Sequence, residues 1–151
     1  MNFKHIIVTL AAASVLASLH AADTTPPSVD DRLALARKAI QAKDWSKALL
    51  ELEKAAREEP RNADVFNLLG YTWRKRPSPD LVKAIENYST ALRLNPNHRG
   101  AHEYIGEAYL MDKKPQEAEK HLARLEAICG NKTCEEYQDL FKSIADYKAK
   151  N

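Results

Sequence analysis

Residues 66–96 read FNLLGYTWRKRPSPDLVKAIENYSTALRLNP, and this stretch decides the fold. It sets a large residue beside a small one at Leu69-Gly70, places Ala84 and Tyr88 on a second segment, and ends at Pro96. Small residues let one helix approach another closely, and large residues fill the space around them. Proline lacks a backbone N–H and stops a helix. The stretch therefore predicts two helices packed as a hairpin.

The same order of residues occurs once before this stretch and once after it. Leu35 precedes Leu69 by 34 residues, and Ile105 follows Leu69 by 36 residues. The outer copies continue with Ala36, Ala48, Leu52 and Pro60 on one side and with Gly106, Ala118 and Leu122 on the other. A helix-turn-helix unit that repeats every 34 residues is typical of tetratricopeptide repeats (TPRs). The chain resembles TPR proteins from residue 29 to residue 128, and the two extra residues of the middle copy fall in its predicted turn, around residues 76–79.

The outer copies depart from the family pattern. Arg32 and His102 stand where the family has a large apolar residue, Leu125 stands where it has a small one, and Gly130 replaces its proline. The resemblance implies an all-α TPR solenoid of three helix-turn-helix repeats followed by a C-terminal capping helix. The predicted units are a signal peptide (1–22), a linker (23–28), repeats at 29–62, 63–98 and 99–130, and the capping helix at 131–151.

The charge of the chain argues against nucleic acid as a partner. The formal net charge is +2, with 44% hydrophobic and 29% charged residues, an ordinary composition for one helical domain. Nucleic-acid binding needs a concentrated basic surface. The basic run Arg74-Lys75-Arg76 is instead interpreted as a solvated helix end. The acidic stretch is interpreted as charge pairing with Lys54 and Arg57 on a solvated helix face, and its members are Glu51, Glu53, Glu58 and Glu59.

The first residues have the plan of a secretory signal. Lys4 and His5 precede an apolar run at 6–19, and Ala21-Ala22 comes before a polar stretch. Because the run is short for a membrane span, we predict cleavage after one of these alanines. The mature protein would then be periplasmic or secreted, in a bacterium, with no membrane span. An uncleaved anchor helix is the alternative.

The only two cysteines, Cys129 and Cys134, become informative once export is assumed. In an oxidising compartment a pair this close favours a disulfide. Gly130 is typical of a helix C-terminus, and Thr133 with Glu136 has the spacing of a capping box. The apolar residues that follow share one helical face: Tyr137, Leu140, Phe141 and Ile144. The bridge would therefore join the third repeat to a helix that covers the end of the array.

Two alternative chemistries remain open. Cys134 lies near a predicted helix start, where a thiolate is stabilised, although C-x4-C is not the usual redox spacing. His98 and His102 are spaced i, i+4, which can place two imidazoles on one metal. The chain contains no G-x-S-x-G, H-E-x-x-H or C-x-x-C-H motif. We therefore predict no enzyme activity, no cofactor and no resident metal.

The resemblance also implies a binding surface. In TPR domains the first helix of each repeat lines a concave groove, and a mixed polar and aromatic surface there suits a peptide. The groove residues implied here are Leu33, Arg37, Asn67, Tyr71, Arg74, Glu103 and Glu107. None of the three from the middle repeat occupies a packing position of the motif, so their replacement by alanine is expected to preserve the helices.

One partner class is disfavoured by the residues at particular positions. TPR domains that clamp the C-terminal carboxylate of chaperones use basic residues and asparagines at the positions of Leu33, Arg37, Leu68, Gly100 and Tyr104. Only Arg37 would meet a carboxylate. We therefore predict an exported adaptor that binds a peptide segment of another envelope protein. A thiol-disulfide or metal-handling accessory protein is the alternative, and self-association through the groove or the array ends is also open.

Overall fold

The computed structural model describes residues 26–150. The predicted signal peptide and cleavage site lie outside the described residues. Within that range the chain forms seven α-helices and no strand: α1 (Val29–Gln41), α2 (Trp45–Glu58), α3 (Ala63–Lys75), α4 (Leu81–Leu94), α5 (Arg99–Met111), α6 (Pro115–Cys129) and α7 (Glu135–Lys150). None of these helices combines the length and apolar character that a bilayer span needs.

The helices pair in chain order. Three hairpins form from α1 and α2, α3 and α4, and α5 and α6, and α7 packs against both helices of the third hairpin. The small residues of the repeated motif are fully buried where the helices meet: Ala36, Ala48, Ala84 and Ala118. The predicted all-α array of three hairpins with one further helix is confirmed.

The turns show why the middle repeat is longer. The first and third hairpins turn at 42–44 and 112–114, where Lys43 and Lys113 have φ of 57° and 58°. The middle hairpin turns at 76–80, which is two residues longer. Side chains in the turns also cap the helices that follow, as Asp44 does for α2 and Asp80 for α4. A surface turn accepts such an insertion because the loop-closure cost grows slowly with length.

The two motif glycines meet different neighbours. A Cβ added at Gly70 would lie 2.7 Å from the ring of Tyr88 on α4, its hairpin partner. At Gly106 the nearest atoms belong instead to Leu140 on α7, at 2.6 Å. By analogy with the middle repeat, Gly106 would be expected to make room for its own hairpin partner, α6, but the space beside it is filled by α7.

The two polar residues at apolar motif positions are matched by partners. Arg32 is buried and donates to Glu51 and Glu58 of α2, both at 2.9 Å. Burial alone would raise the pKa of Glu51, but hydrogen bonds from Arg32 and Lys54 outweigh it and hold this pKa below its usual value. The interpretation as a solvated face is therefore wrong for Glu51, which is buried against the guanidinium, whereas Glu53, Glu58 and Glu59 are exposed and Glu51 also pairs with Lys54.

His102, at the equivalent position of the third repeat, is part of a histidine pair. Its Nε2 donates to the carbonyl of Pro96 at 3.0 Å, which leaves Nδ1 to accept from Nδ1 of His121 at 2.9 Å. The ring of His121 stacks on Tyr109, with centroids 5.8 Å apart. Burial lowers the pKa of both histidines, that of His121 to about 4. The pair is therefore neutral at pH 7.

A disulfide between Cys129 and Cys134 joins the end of α6 to the start of α7. Gly130 ends α6 with φ of 68°, as its position predicted. The predicted capping box is wrong, because Thr133 donates to Asn131 Oδ1, and the first backbone acceptor of α7 is Cys134. Three of the four predicted apolar residues of α7 are buried, whereas Phe141 is 55% exposed.

Candidate binding groove

The central feature of the candidate groove is a buried guanidinium. Arg74, on α3, is only 5% exposed, and it forms an ion pair with Glu107 on α5. Its Nε donates to the hydroxyl of Tyr88 at 3.3 Å. Its Cζ lies 5.6 and 5.5 Å from the ring centroids of Tyr71 and Tyr104, within the range of a cation–π contact. We call these five side chains the Arg74 cluster.

Mutual contacts hold the Arg74 cluster in place. The rings of Tyr71 and Tyr104 lie 5.2 Å apart, and the rings of Tyr104 and Tyr88 lie 6.3 Å apart. Burial disfavours the charged form of Arg74, but the neighbouring Tyr88 and Glu107 outweigh it and raise the pKa. The cation is therefore held between an aromatic wall and a carboxylate.

Asn67 and Arg74 are packing residues as well as groove residues. Asn67 is 7% exposed, and its buried Oδ1 has no hydrogen-bond partner. An unsatisfied buried acceptor typically costs about 1–3 kcal/mol. Because both side chains are buried, the premise that neither serves packing is wrong, and so is the interpretation of Arg74 as part of a solvated helix end. The half-buried Tyr71 is the more suitable position for a binding variant.

Glu103 lies on α5, next to Tyr104 and one turn before Glu107. The residue is 8% exposed. Burial raises its pKa to about 8, and the nearby carboxylates of Glu107, Asp139 and Glu136 act in the same direction. Glu103 is therefore largely protonated at neutral pH.

The two groove residues predicted on α1 lie apart from this cluster. Leu33 is buried in the first hydrophobic core with Val29 and Leu52, so its side chain serves packing. Arg37 is exposed on the surface of α1. The other five predicted residues lie on α3 and α5, around the Arg74 cluster.

Helix α7 adds groove residues that the sequence reasoning missed. Ser143 donates to Glu107 at 3.4 Å, and Asp139 and Glu136 act on the pKa of Glu103. A signal for them was present in the repeat spacing. A shift of 36 residues relates Leu69 to Ile105, and the same shift carries Gly100, Glu103, Glu107 and Leu110 to Glu136, Asp139, Ser143 and Asp146. Helix α7 thus stands where the first helix of a fourth repeat would stand.

An open cleft runs between α5 and α7. Its volume is about 390 Å³, and Arg74 and Glu107 contribute to its lining. Its other lining residues are Leu110 and Met111 of α5 and Ser143, Asp146, Tyr147 and Lys150 of α7. The cleft therefore combines a buried ion pair with apolar and charged side chains. We use "the groove" for this cleft together with the Arg74 cluster, Asn67, Glu103, Glu136 and Asp139.

The histidines and cysteines of the alternative chemistries are engaged elsewhere. His98 Nε2 lies 2.9 Å from Asp64 Oδ1, and His98 Nδ1 accepts from the backbone of Ala101 at the start of α5. Cys129, Cys134 and Glu136 form the one group within residues 26–150 with metal-ligand spacing, but its two sulfurs are joined in the disulfide. The metal and redox alternatives gain no support from these contacts.

Comparisons with known proteins agree with this architecture. Residues 82–132 match the family described as Tetratricopeptide repeat. Cellulose synthase operon protein C of Pseudomonas fluorescens (strain SBW25) is 37% identical over 59 residues, which are 39% of this chain and 4% of that protein. This chain thus corresponds to a small part of that relative's length.

Two solved structures resemble the chain over most of its length. The TPR2B domain of yeast Sti1, in complex with pHsp70, has a TM-score of 0.72 and 14% identity, and the match covers 82% of this chain and 98% of that one. The first TPR domain of Spaghetti (RPAP3), bound to the HSP90 peptide SRMEEVD, has a TM-score of 0.67 and 18% identity, covering 81% and 96%. At these identities the likeness concerns the fold.

Proposed function

Because the chain is a tetratricopeptide repeat protein, we propose that it is a non-catalytic adaptor that binds a peptide segment of another protein in the groove. The observation that carries this proposal is the convergence of α3, α5 and α7 on one cleft with the Arg74 cluster at its edge. A TPR domain is typically a protein-protein interaction module. The TPR domains of Sti1 and RPAP3 hold pHsp70 and an HSP90 peptide, respectively.

The physical argument for the groove is preorganisation. Arg74 is fixed by Glu107, Tyr88 and two aromatic rings. Side chains that are already fixed lose little conformational entropy when a ligand binds, and this favours affinity. The cleft also offers both apolar and charged walls, as peptide-binding surfaces do.

The compartment is part of the same proposal. A disulfide persists in oxidising compartments such as the bacterial periplasm, and the Cys129–Cys134 bridge supports placing the mature protein there. The amino-terminal pattern of the sequence predicts export, and the similar stretch of cellulose synthase operon protein C comes from a bacterium. The proposed partner is therefore another envelope or exported protein.

Site-specific photo-crosslinking tests the proposal. Benzoylphenylalanine would replace Met111, which is 46% exposed in the wall of the cleft. Matched controls carry it at Glu53, exposed on α2, and at Phe141, exposed on α7 near the end of the array. In envelope extract we expect one partner segment to be linked at position 111 and not at position 53. Links that form only at positions 53 or 141 would contradict the groove as the binding surface.

A single substitution then measures the contribution of the groove. The half-buried ring of Tyr71 can be removed without deleting a buried charge. Tyr71→Ala should weaken binding of the cross-linked segment about tenfold, equivalent to about 1.4 kcal/mol. Glu53→Ala should leave the affinity unchanged, since an exposed charge contributes little. Isothermal titration with the synthetic segment gives both affinities, and circular dichroism verifies that both variants keep their helices.

A further inference from the structure

Glu103 is a buried acid that lacks a partner. Although the residue is only 8% exposed, its carboxyl group forms neither a hydrogen bond nor an ion pair within the part of the chain that the structure describes. The carboxyl oxygens of Glu103 are not fully enclosed, because Asn67 Oδ1 is the one fully buried side-chain polar atom without a partner among the described residues. A carboxyl group that reaches the surface of the groove without a partner of its own is a candidate for a ligand contact.

The surroundings of Glu103 contain more acid than base. Glu107 on α5 and Glu136 and Asp139 on α7 lie close enough to raise its pKa. Arg74 on α3 is paired with Glu107, and Arg99 is paired with Glu136 at 3.4 Å. After these two pairs are formed, the carboxyl groups of Glu103 and Asp139 have no ion-pair partner among residues 26–150, although Arg74 acts from a distance to lower the pKa of Glu103. Two titratable rings also lie near this site, since Tyr104 interacts electrostatically with both Glu103 and Tyr71.

A second unsatisfied acceptor lies on the neighbouring helix. Asn67 is 93% buried by residue, and its Oδ1 has no donor. Its amide nitrogen lies 3.5 Å from the position that a Cβ would take at Gly100, one turn before Glu103. Among the described residues, the carboxyl group of Glu103 and the Oδ1 atom of Asn67 are thus two neighbouring acceptors without a donor. A lysine ammonium carries three donors and an arginine guanidinium five.

We infer that the groove binds a segment containing a lysine or arginine, and that this side chain places its cationic group between Glu103, Glu136 and Asp139. This inference rests on the proposed peptide-binding function. The rings of Tyr71 and Tyr104 provide the wall against which the aliphatic stem of such a side chain packs. The Arg74 cation is already held by Glu107, so an acidic side chain would find no free basic partner in this part of the groove.

An organic cation fits the spacing of the carboxyl groups better than a metal ion does. A metal requires ligand atoms that converge within a few ångströms. Among residues 26–150, the one such group of acids, histidines or cysteines is Cys129, Cys134 and Glu136. Glu103, Glu136 and Asp139 do not converge in that way. A guanidinium or ammonium on a long stem has donors spread widely enough to reach separated acceptors.

Peptide selection tests the inference on the full mature chain. The probes are four pools of random nonapeptides with blocked ends and a fixed central lysine, arginine, norleucine or glutamate. We expect the lysine and arginine pools to bind at least tenfold more strongly than the norleucine pool, with the glutamate pool the weakest. Norleucine keeps the stem of lysine without its charge, so this pair isolates the cation.

The pH dependence of binding distinguishes a direct contact with Glu103 from a general attraction between the cationic peptide and the acidic residues of the groove. Burial and the neighbouring carboxylates raise the pKa of Glu103 to about 8, so the acid must lose its proton to pair with the ligand cation. Affinity for a selected lysine peptide should therefore rise severalfold from pH 6.5 to pH 8.5, while lysine, with a pKa near 10.4, stays charged. Glu103→Gln, which resembles the protonated acid in shape, should weaken binding about tenfold and abolish this rise. Glu53→Gln is the matched control and should change neither.

The outcomes distinguish this inference from the proposed function. Equal binding of the lysine and norleucine pools, or a Glu103→Gln variant with unchanged affinity and pH profile, overturns the inference. The proposed function would survive in that case, because it is judged by cross-linking at position 111. If no pool binds, the basic-segment inference fails. If position 111 also captures no partner, the peptide-binding function fails with it.

Discussion

The second and third repeats use the same glycine position for different purposes. In the second repeat, Gly70 accommodates Tyr88 of the hairpin partner, and this ring in turn holds Arg74. In the third repeat, Gly106 accommodates Leu140 of α7. The second repeat is therefore packed from within, whereas the third is completed by the helix that follows it.

This difference also separates the two halves of the groove. Three of the five side chains of the Arg74 cluster lie on α3 and α4 in the second repeat, and the other two, Tyr104 and Glu107, lie on α5. Glu103 and Glu107 also have neighbours on α7, namely Glu136, Asp139 and Ser143, besides the ion pair of Glu107 with Arg74. Changes in the second repeat should thus affect the whole fold, and changes near α7 should act on one side of the groove.

Gly70→Leu should have the largest effect. Its side chain would enter the space of the fully buried Tyr88 ring, which cannot move without breaking its contact with Arg74. We expect a loss of at least about 3 kcal/mol, at the upper end of overpacking effects, measured by urea unfolding. Gly100→Leu is the matched control, because its nearest neighbour would lie 3.5 Å away. Equal losses in the two variants would show that Gly70 is not a packing position.

Removal of the disulfide should come next. The double variant Cys129→Ser/Cys134→Ser opens the short loop that ties α7 to α6, and the chain-entropy relation gives a loss of about 2 kcal/mol for such a loop. The loss should be local to the third repeat. Amide hydrogen exchange should accelerate in α7 far more than in α3, and the wild type under reducing conditions should behave in the same way. Uniform acceleration in all helices would mean that α7 and the second repeat form one cooperative unit.

The difference between the glycines can be isolated by a double-mutant cycle. Gly106→Ala places a methyl group against the end of the Leu140 side chain, which can partly turn away, so we expect a loss of only about 1 kcal/mol. In a Leu140→Ala background the same change should become neutral or stabilising, because alanine favours helices over glycine by about 1 kcal/mol. If the effect of Gly106→Ala depended on Leu122→Ala and not on Leu140→Ala, the neighbour of Gly106 would be its hairpin partner α6, and our assignment of α7 would be wrong.

The arrangement of the hairpins could be predicted from sequence because the motif residues contact partners that are close to them in the chain. The helix pair of the second repeat is specified by Gly70, Ala84 and Tyr88, and the insertion in its turn follows from the spacing between repeats. The roles of Arg32 and His102 could not be read in the same way. Their partners, Glu58 and His121, lie at positions without a motif constraint, so only tertiary structure brings them together.

The groove was predictable in part for a related reason. The family positions identified Arg74, Glu103 and Glu107, but periodicity gives the side of a helix and not the depth of burial. Asn67 and Arg74 are therefore buried where exposed residues were expected. The contribution of α7 was missed because its apolar face indicated a covering helix, while its polar face continues the groove through Ser143 and Asp146.

The smallest expected effect concerns two buried acid–base groups on the third repeat that respond to pH in opposite senses. His121 has its pKa lowered to about 4 by burial and by His102, whereas an unfolded histidine has a pKa of about 6.5. The unfolded state therefore binds the extra proton first, and stability is lost as the pH falls from 6.5 towards 4. Glu103 behaves in the opposite way. Its folded pKa of about 8 exceeds the unfolded value, so stability is gained as the pH falls through 8 and is complete below about 4.3.

Between pH 6.5 and pH 5.5 the contribution of Glu103 should oppose that of His121 and of its neighbour His102, whose pKa burial also lowers, and each variant should reveal the groups that remain. Glu103→Gln removes the gain, so its stability relative to wild type should fall with decreasing pH, by at most about 1 kcal/mol over this unit. His121→Phe keeps a ring against Tyr109 and removes the part of the loss that comes from His121, so its stability relative to wild type should rise as the pH falls. Urea unfolding at pH 6.5, 6.0 and 5.5 gives the three slopes. Parallel slopes of the unfolding free energy against pH in all three proteins would mean that neither group changes its protonation on folding. Glu103 would then be ionised at neutral pH, and ligand binding would have no proton to displace from it.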